Sequence, residues 1–198
     1  AAGSASDIVV AVSHDEGTTF GAPVQVNRVA GDARVSGEIP PRVALHQRAG
    51  AAAPAVVVAW NAKDQGTEIK VARSTDGGRS FGPPQSLQSA GAAGDRGWHS
   101  LAIDGDGVAH VLWLDHRGLA ESAERTDGTK ASPTAAAHQH KGDHDGDAMA
   151  QRSSLRYAAL GGSASVDRAL TPGVCYCCKT AVVALPDGRL VAAWRHVY

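Results

Sequence analysis

An internal repeat constrains the fold of this sequence more than any other feature does. The segment DIVVAVSHDEGTTFGAPVQV begins at Asp7, and the segment EIKVARSTDGGRSFGPPQSL begins at Glu68. Aligned without gaps, the two segments share nine of twenty residues. Each of them predicts a β-strand, a polar turn and a second short strand. A repeat of this kind is typical of folds that place one small structural unit after another.

Both copies contain the pattern S-x-D-x-G-x-x-F, at Ser13–Phe20 and again at Ser74–Phe81. We call these two segments the Ser-Asp turns. An Asp carboxylate can accept backbone N–H bonds within such a turn, and Gly supplies the positive φ angle. The pattern therefore predicts two hairpin turns in which the Asp accepts backbone hydrogen bonds and the Phe is buried. The residues concerned are Asp15, Asp76, Phe20 and Phe81.

A second repeat alternates with the first. Three segments share a strand of small apolar residues, a turn, an alternating strand and a tryptophan, which is Trp60, Trp113 or Trp194. The Asp106-Gly107 and Asp187-Gly188 pairs in these segments indicate tight hairpin turns. Together the two repeats predict four-stranded antiparallel sheets, each made of an inner hairpin followed by an outer hairpin.

The Ser-Asp turn resembles the Asp-box of the sialidase (BNR) family, and the resemblance covers nearly the whole chain. It implies an all-β fold, a six-bladed β-propeller of sialidase type, of which residues 1–198 supply about three blades as the N-terminal part. The expected blade units are residues 7–27, 42–88, 98–168 and 180–198. The remainder of the propeller, from the same or a second chain, is then needed to close the ring and cover its edges.

Residues 119–152 interrupt the third unit and show no hydrophobic periodicity. They include His138, His140 and His144 among several aspartates. Imidazole and carboxylate groups at short spacing could collect a metal ion, whereas polar insertions are usually solvated surface loops. We expect a flexible insertion that crosses no blade core.

Charge and hydropathy argue against two classes of partner. The formal net charge is -1 at pH 7, so nothing in the composition predicts a nucleic-acid partner. No segment reaches the ~18 apolar residues of a membrane-spanning helix. The chain begins AAGSAS, which suits a mature chain cleaved after an export signal. With the family resemblance, this predicts a secreted or periplasmic protein.

In sialidase-like propellers the functional face is built by loops that enter each innermost strand and loops that join strands two and three. The resemblance places Arg42 and Asp115 on that face, as candidates for a substrate-binding arginine and a catalytic acid. Family sialidases carry a Phe-Arg-Ile-Pro motif, whereas this sequence has Glu38 before Ile39 and Pro40. A carboxylate there would repel the carboxylate of sialic acid, which argues against a true sialidase. An exo-acting, sialidase-like glycoside hydrolase, or a propeller that binds a small molecule, glycan or protein, is the alternative.

Three cysteines, Cys175, Cys177 and Cys178, lie within four positions of a loop on the same predicted face. Thiolates favour soft ions such as copper(I) or zinc, and imidazole is a compatible ligand. A disulfide, an unusual haem attachment and ordinary buried cysteines are the other interpretations. The leading prediction is a propeller with a Cys/His metal-binding or redox site on its functional face. The predicted metal ligands are Cys175, Cys177, Cys178, His116, His196 and His99.

Overall fold

A computed structural model describes residues 5–34, 38–63, 67–87, 93–120, 143–161 and 167–198. The strands of these residues pair into four antiparallel sheets, which follow one another in chain order. None of the described helices combines the length and the apolarity needed to cross a bilayer.

Along the chain, a two-stranded hairpin comes first, two four-stranded sheets follow, and a second two-stranded hairpin comes last. Sheet 1 contains β1 (Val9–Val10) and β2 (Val24–Gln25). Sheet 2 contains β3 (Arg42–His46), β4 (Ala55–Lys63), β5 (Thr67–Ser74) and β6 (Gln85–Ser86). Sheet 3 contains β7 (Arg96–Ile103), β8 (Ala109–Asp115), β9 (Ser154–Leu160) and β10 (Arg168–Pro172). Sheet 4 contains β11 (Ala181–Ala184) and β12 (Leu190–Ala193).

The sheets are arranged as in a propeller. Within sheets 2 and 3 each strand is hydrogen-bonded to the next strand along the chain. Their first strands lie innermost, since β7 contacts both β3 and β11. Three apolar cores fill the spaces between consecutive sheets. The prediction of an all-β fold that forms part of a β-propeller is confirmed.

Packing on both faces explains the long apolar runs of the central strands β4 and β8. In β4, Val57 and Ala59 contact the core toward sheet 3, while Val58 and Trp60 contact the core toward sheet 1. Because side chains alternate along a strand, a sheet covered on both faces needs apolar residues at every position. In β8 the residues from Val111 to Leu114 follow the same rule, and the buried polar residues His110 and Asp115 have hydrogen-bond partners.

The Ser-Asp turns form as predicted. In the first turn, Asp15 accepts hydrogen bonds from the N–H and the hydroxyl of Thr19, at 2.9 and 2.6 Å. In the second, Asp76 accepts the same pair from Ser80. Gly17, like its counterpart in the second turn, has a φ of 88°, a conformation that favours glycine. The prediction that both aspartates accept backbone hydrogen bonds is confirmed.

The two phenylalanines of the turns differ, and the prediction for Phe20 is wrong. Phe81 is 8% exposed and lies in the core between sheets 1 and 2, whereas Phe20 is 65% exposed. Phe81 is covered because its turn packs against the preceding sheet. No sheet precedes sheet 1 in the part of the chain that the structure describes, so Phe20 has no equivalent surface to contact.

The C-terminal part of the insertion departs from expectation. Residues Asp143–Arg152 form a helix, α1, instead of a loop without structure. Ala150 is 1% exposed, and the Gln151 side-chain amide donates to the carbonyl of Val197 at 3.1 Å. Local helix formation and contact with sheet elements thus fix this part of the insertion. His138 and His140, proposed above as metal-collecting residues, lie outside the described residues.

Candidate functional site

The cysteine loop, residues 173–180, connects β10 to β11. Val174 forms an antiparallel bridge with His196, which follows β12. The N–H of Cys175 donates to the carbonyl of Arg195 at 2.9 Å. Backbone pairing therefore holds the first cysteine against the chain that leaves the neighbouring hairpin.

The other end of the loop is fixed to β7. The N–H and the hydroxyl of Thr180 both donate to the carbonyl of Trp98, at 3.2 and 2.8 Å. Trp98 has a φ of 51° and lies in a β-bulge, where it and His99 oppose the single residue Trp113. No local pattern predicts these contacts, because neither of the two bulged residues is a glycine.

The three sulfur atoms are close together. The Sγ atoms of Cys175 and Cys178 are 2.7 Å apart, and those of Cys175 and Cys177 are 3.8 Å apart. All three sulfurs lie within 4.8 Å of one another. Cys177 is exposed, and the other two are half-buried. The three thiols are therefore gathered at one place in the loop.

The loop gives its three thiols different acidities. Burial raises the pKa of Cys175, but the thiol of Cys178, the N–H of Cys177 and the charge of Arg195 lower it below its usual range. Burial and the neighbouring sulfurs raise the pKa of Cys177 to about 11. Burial and Cys175 also raise the pKa of Cys178. Cys175 is therefore the first of the three thiols to lose its proton, because two hydrogen-bond donors and a cation stabilise its thiolate.

His116 lies next to the cysteine loop without joining the sulfur cluster. Its ring centroid is 5.0 Å from that of Trp98. Burial lowers the pKa of His116, while Asp95, Asp115 and the carbonyl of Tyr176 partly offset this effect. The buried Nε2 atom of His116 has no hydrogen-bond partner among the described residues. The ring is thus buried beside the loop with one nitrogen uncommitted.

The other two predicted histidine ligands, His99 and His196, make their contacts with other groups. His99 is 1% exposed, and its Nε2 lies 3.1 Å from the carbonyl oxygen of Ala59 on sheet 2. His196 is exposed, and its ring contacts that of Tyr198 edge-on at 4.8 Å. The only group of three or more potential ligands found among the described residues consists of the cysteines. The structure therefore brings the thiols together but does not bring His99, His116 or His196 into the same group.

Asp115, the candidate acid, is enclosed by cations. It is fully buried, and Arg117 binds both of its oxygens, at 2.8 and 2.7 Å. The Nε atom of Arg96 lies 3.5 Å from the same carboxylate. Burial raises the pKa of Asp115, but Arg117 and Arg96 together hold it below its usual range. A buried, ion-paired carboxylate has no proton to donate near neutral pH, so this position does not suit a catalytic acid.

Arg42, the candidate substrate-binding arginine, is half-buried and connects two sheets. Its Nε donates to the carbonyl of His99 at 3.1 Å. Arg34, an alternative cation nearby in the sequence, pairs with Asp95 at 2.8 Å. Both arginines thus take part in contacts between sheets 2 and 3 or their loops. The ion pair between Arg117 and Asp115 had one signal in the sequence, the Asp-x-Arg spacing that recurs at Asp187.

Comparison with known proteins gives no family assignment. No family model matches the chain, and no curated protein matches it. Among solved structures, an alpha-L-arabinanase from Penicillium chrysogenum, complexed with arabinobiose, is 14% identical, with a TM-score of 0.48. That match covers 95% of this chain and 49% of the arabinanase. A Hadza microbial sialidase is also 14% identical, with a TM-score of 0.44, over 77% of this chain and 31% of the sialidase. The chain thus spans about half the length of the first and about a third of the second.

Proposed function

We propose that this chain is part of a secreted or periplasmic propeller protein that binds a thiophilic metal ion, copper(I) or zinc, at the cysteine loop. The observation that carries the proposal is the cluster of three sulfurs within 4.8 Å of one another. Thiolate sulfur is the ligand preferred by these soft or borderline ions. The resemblance of the Ser-Asp turns to the Asp-box supports the proposed extracytoplasmic location.

One of the two short distances between sulfurs already suits a shared ion, and the other needs a small adjustment. Sulfurs bound to one zinc ion at about 2.3 Å lie roughly 3.8–4.0 Å from one another. The Cys175–Cys177 distance of 3.8 Å already has this value. The Cys175–Cys178 distance of 2.7 Å would have to open by about 1 Å, which a rotation about χ1 of an exposed or half-buried side chain supplies. The loop backbone can therefore keep its anchoring hydrogen bonds.

His116 is the histidine best placed to add a fourth ligand. Its Nε2 is buried without a partner among the described residues, and its ring lies beside the Tyr176 carbonyl, between two of the cysteines in sequence. His99 also has a buried nitrogen without a partner, Nδ1, but its Nε2 lies against a carbonyl on sheet 2 and its ring does not lie beside a residue of the cysteine loop. A buried nitrogen without a hydrogen bond is costly unless something binds it. We therefore propose Cys175, Cys177 and Cys178 as the ligands, with His116 next to them.

A glycoside hydrolase is the weaker candidate. Its proposed acid, Asp115, is bound on both oxygens by Arg117. Its proposed carboxylate-binding group, Arg42, donates from Nε to the main chain of His99. The carboxylate of Asp115 is therefore closed to a substrate, and one nitrogen of Arg42 is already used in a contact between sheets.

Metal analysis of the full-length exported protein tests the proposal. After reduction and loading with copper(I) or zinc in the presence of a weak chelator, we expect one ion per chain. The double variant Cys177→Ser, Cys178→Ser should lose the ion, because a single thiolate remains. The control variant His196→Ala should keep it, since that exposed ring lies outside the cluster. Three free thiols and no bound metal in the wild-type protein would overturn the proposal.

A further inference from the structure

We infer that Cys175 and Cys178 form a reversible disulfide while Cys177 stays free, so that the loop exchanges thiols with small anionic disulfides. This activity is separate from metal binding, because it requires only the thiols and an external disulfide. It identifies one pair among the three that these cysteines could form.

Side-chain geometry selects the pair. The Cys175 and Cys178 sulfurs are 2.7 Å apart, well inside the separation of 3.8 Å between Cys175 and Cys177. A disulfide bond is about 2.05 Å long. Cys175 therefore needs a smaller movement to form a bond with Cys178 than with Cys177.

The backbone favours the same pair. The N–H of Cys178 lies 3.5 Å from the carbonyl oxygen of Cys175, the i to i+3 contact of a tight turn. Such turns bring the first and fourth Cα atoms within about 7 Å, which overlaps the range of 4.4–6.8 Å that disulfides span. Both ends of the loop are anchored, at Arg195 and at Trp98. Oxidation can then proceed without a change in β10 or β11.

The charges around the loop point to the class of disulfide. Arg195 is exposed, and its Nη1 lies 3.8 Å from the Cys178 sulfur. Lys179, next to that cysteine, is also exposed, and the loop from residue 173 to residue 180 contains no acidic residue. Cationic groups attract anions and raise their rate of encounter. A small disulfide that carries carboxylates, as glutathione disulfide does, fits this surface.

The exchange balances in atoms and electrons. One external disulfide, R–S–S–R, accepts two electrons, and its bond is broken. The thiols of Cys175 and Cys178 lose two electrons and two protons, and one S–S bond forms between them. The protons pass to the two leaving thiolates, which depart as R–SH.

Oxidation would also control the metal site. It consumes two of the three sulfurs, and the remaining thiol of Cys177 is a single donor. This consequence, unlike the exchange itself, rests on the proposed function. We expect the oxidised protein to bind no ion and the reduced protein to recover it.

The test uses the reduced, metal-free, full-length protein and glutathione disulfide. We expect the count of free thiols to fall from three to one, and peptide mapping to find the bond between Cys175 and Cys178. Cys177→Ser should form the same bond at a rate within about twofold of wild type, whereas Cys178→Ser should stop at a glutathione adduct. Arg195→Ala should slow exchange with glutathione disulfide about threefold or more, but not with the uncharged 2-hydroxyethyl disulfide.

Three unreacted thiols, or a bond that includes Cys177, would overturn the inference in the wild-type protein, whatever the variants do. Equal slowing of both disulfides by Arg195→Ala would overturn the assignment of an anionic substrate. Zinc or copper binding is measured separately on the reduced protein. A chain that exchanges thiols but binds no metal would sink the proposed function alone, and a chain that binds metal but forms no disulfide would sink this inference alone.

Discussion

At the scale of single residues, the same local pattern serves two different purposes. Asp115 and Arg117 are two residues apart, as are Asp187 and Arg189, and in each pair the guanidinium contacts the carboxylate at 2.7 Å. The first pair lies at the end of β8 with its carboxylate fully buried, and the second lies in an exposed hairpin turn. Exposed ion pairs contribute little, whereas removal of one partner from a buried pair leaves an uncompensated charge.

Replacement of the buried carboxylate should therefore be far more damaging than replacement of the exposed one. We expect Asp115→Ala to lower the free energy of unfolding by about 3 kcal/mol, because Arg96 and Arg117 lose a buried counter-ion that Asp167, 3.9 Å from Arg117, replaces only in part. Asp187→Ala should leave the urea midpoint close to that of wild type. Urea unfolding of both variants, followed by tryptophan fluorescence, measures the difference. Similar losses in the two variants would contradict the role assigned to Asp115.

At the scale of structural elements, the Ser-Asp turn acts both within its hairpin and across the gap between sheets. Its internal hydrogen bonds are nearly the same in the two copies, so the pattern alone specifies the turn. Its phenylalanine contributes to stability only where a preceding sheet covers it. Phe81 has such a cover, in the core formed with Val24 and Val26 of the first hairpin.

The two copies give a matched pair of substitutions. Phe81→Ala should lower the free energy of unfolding by about 3 kcal/mol, the usual cost when a buried aromatic side chain is removed. Phe20→Ala in the 198-residue chain should change it by no more than about 0.5 kcal/mol, since that ring is exposed. Thermal or urea unfolding of the two variants checks the comparison. A large loss for Phe20→Ala would show that this ring is covered in solution.

The elements that sequence reasoning predicted are those determined by local pattern. Strand alternation, the Ser-Asp turns and the hairpin glycines are written in neighbouring residues, and the all-β propeller fold follows from them. The burial of Phe20 and the positions of His99 and His196 relative to the cysteines depend on how separate sheets meet, which no local pattern encodes. The cysteines could be placed together because they share one short loop.

At the scale of the whole molecule, polar contacts join sheets 2 and 3 around an apolar centre. On the side of the cysteine loop, the Thr67 hydroxyl donates to the carbonyl of Arg96 at 2.7 Å. At the opposite side, the Arg73 guanidinium donates to the carbonyl of Gly107 at 2.8 Å. Between them, His99 reaches from β7 to the main chain of Ala59. One of these three contacts between the sheets, that of His99, therefore involves a group that can take up a proton in mild acid.

His99 should make the stability of the chain decline in mild acid. Burial lowers the pKa of His99 to about 4 from its ordinary 6.5. Between these values the unfolded chain binds a proton that the folded chain does not, so stability falls as pH falls from 6.5 to about 4. The loss for this one group is at most about 3 kcal/mol.

Urea midpoints measured across this pH range test the prediction. The His99→Gln variant should show a flatter dependence on pH than wild type, with a residual slope from His116, whose pKa burial also lowers. His14→Gln, at an exposed position, should keep the wild-type slope. An unchanged slope in His99→Gln would mean that the buried ring does not stay neutral.

The β-bulge at Trp98 divides β7 into two parts with different alternation. Ser100 and the residues after it pair with β8 in one register, whereas Arg96 and Gly97 pair in a register shifted by one residue. In a regular strand the side chains alternate without interruption, so the faces presented at one end determine those presented at the other. Here the extra residue makes the two ends independent. The number of residues on the side of the cysteine loop can therefore change without turning Leu101 or Ala102 away from the cores that they contact.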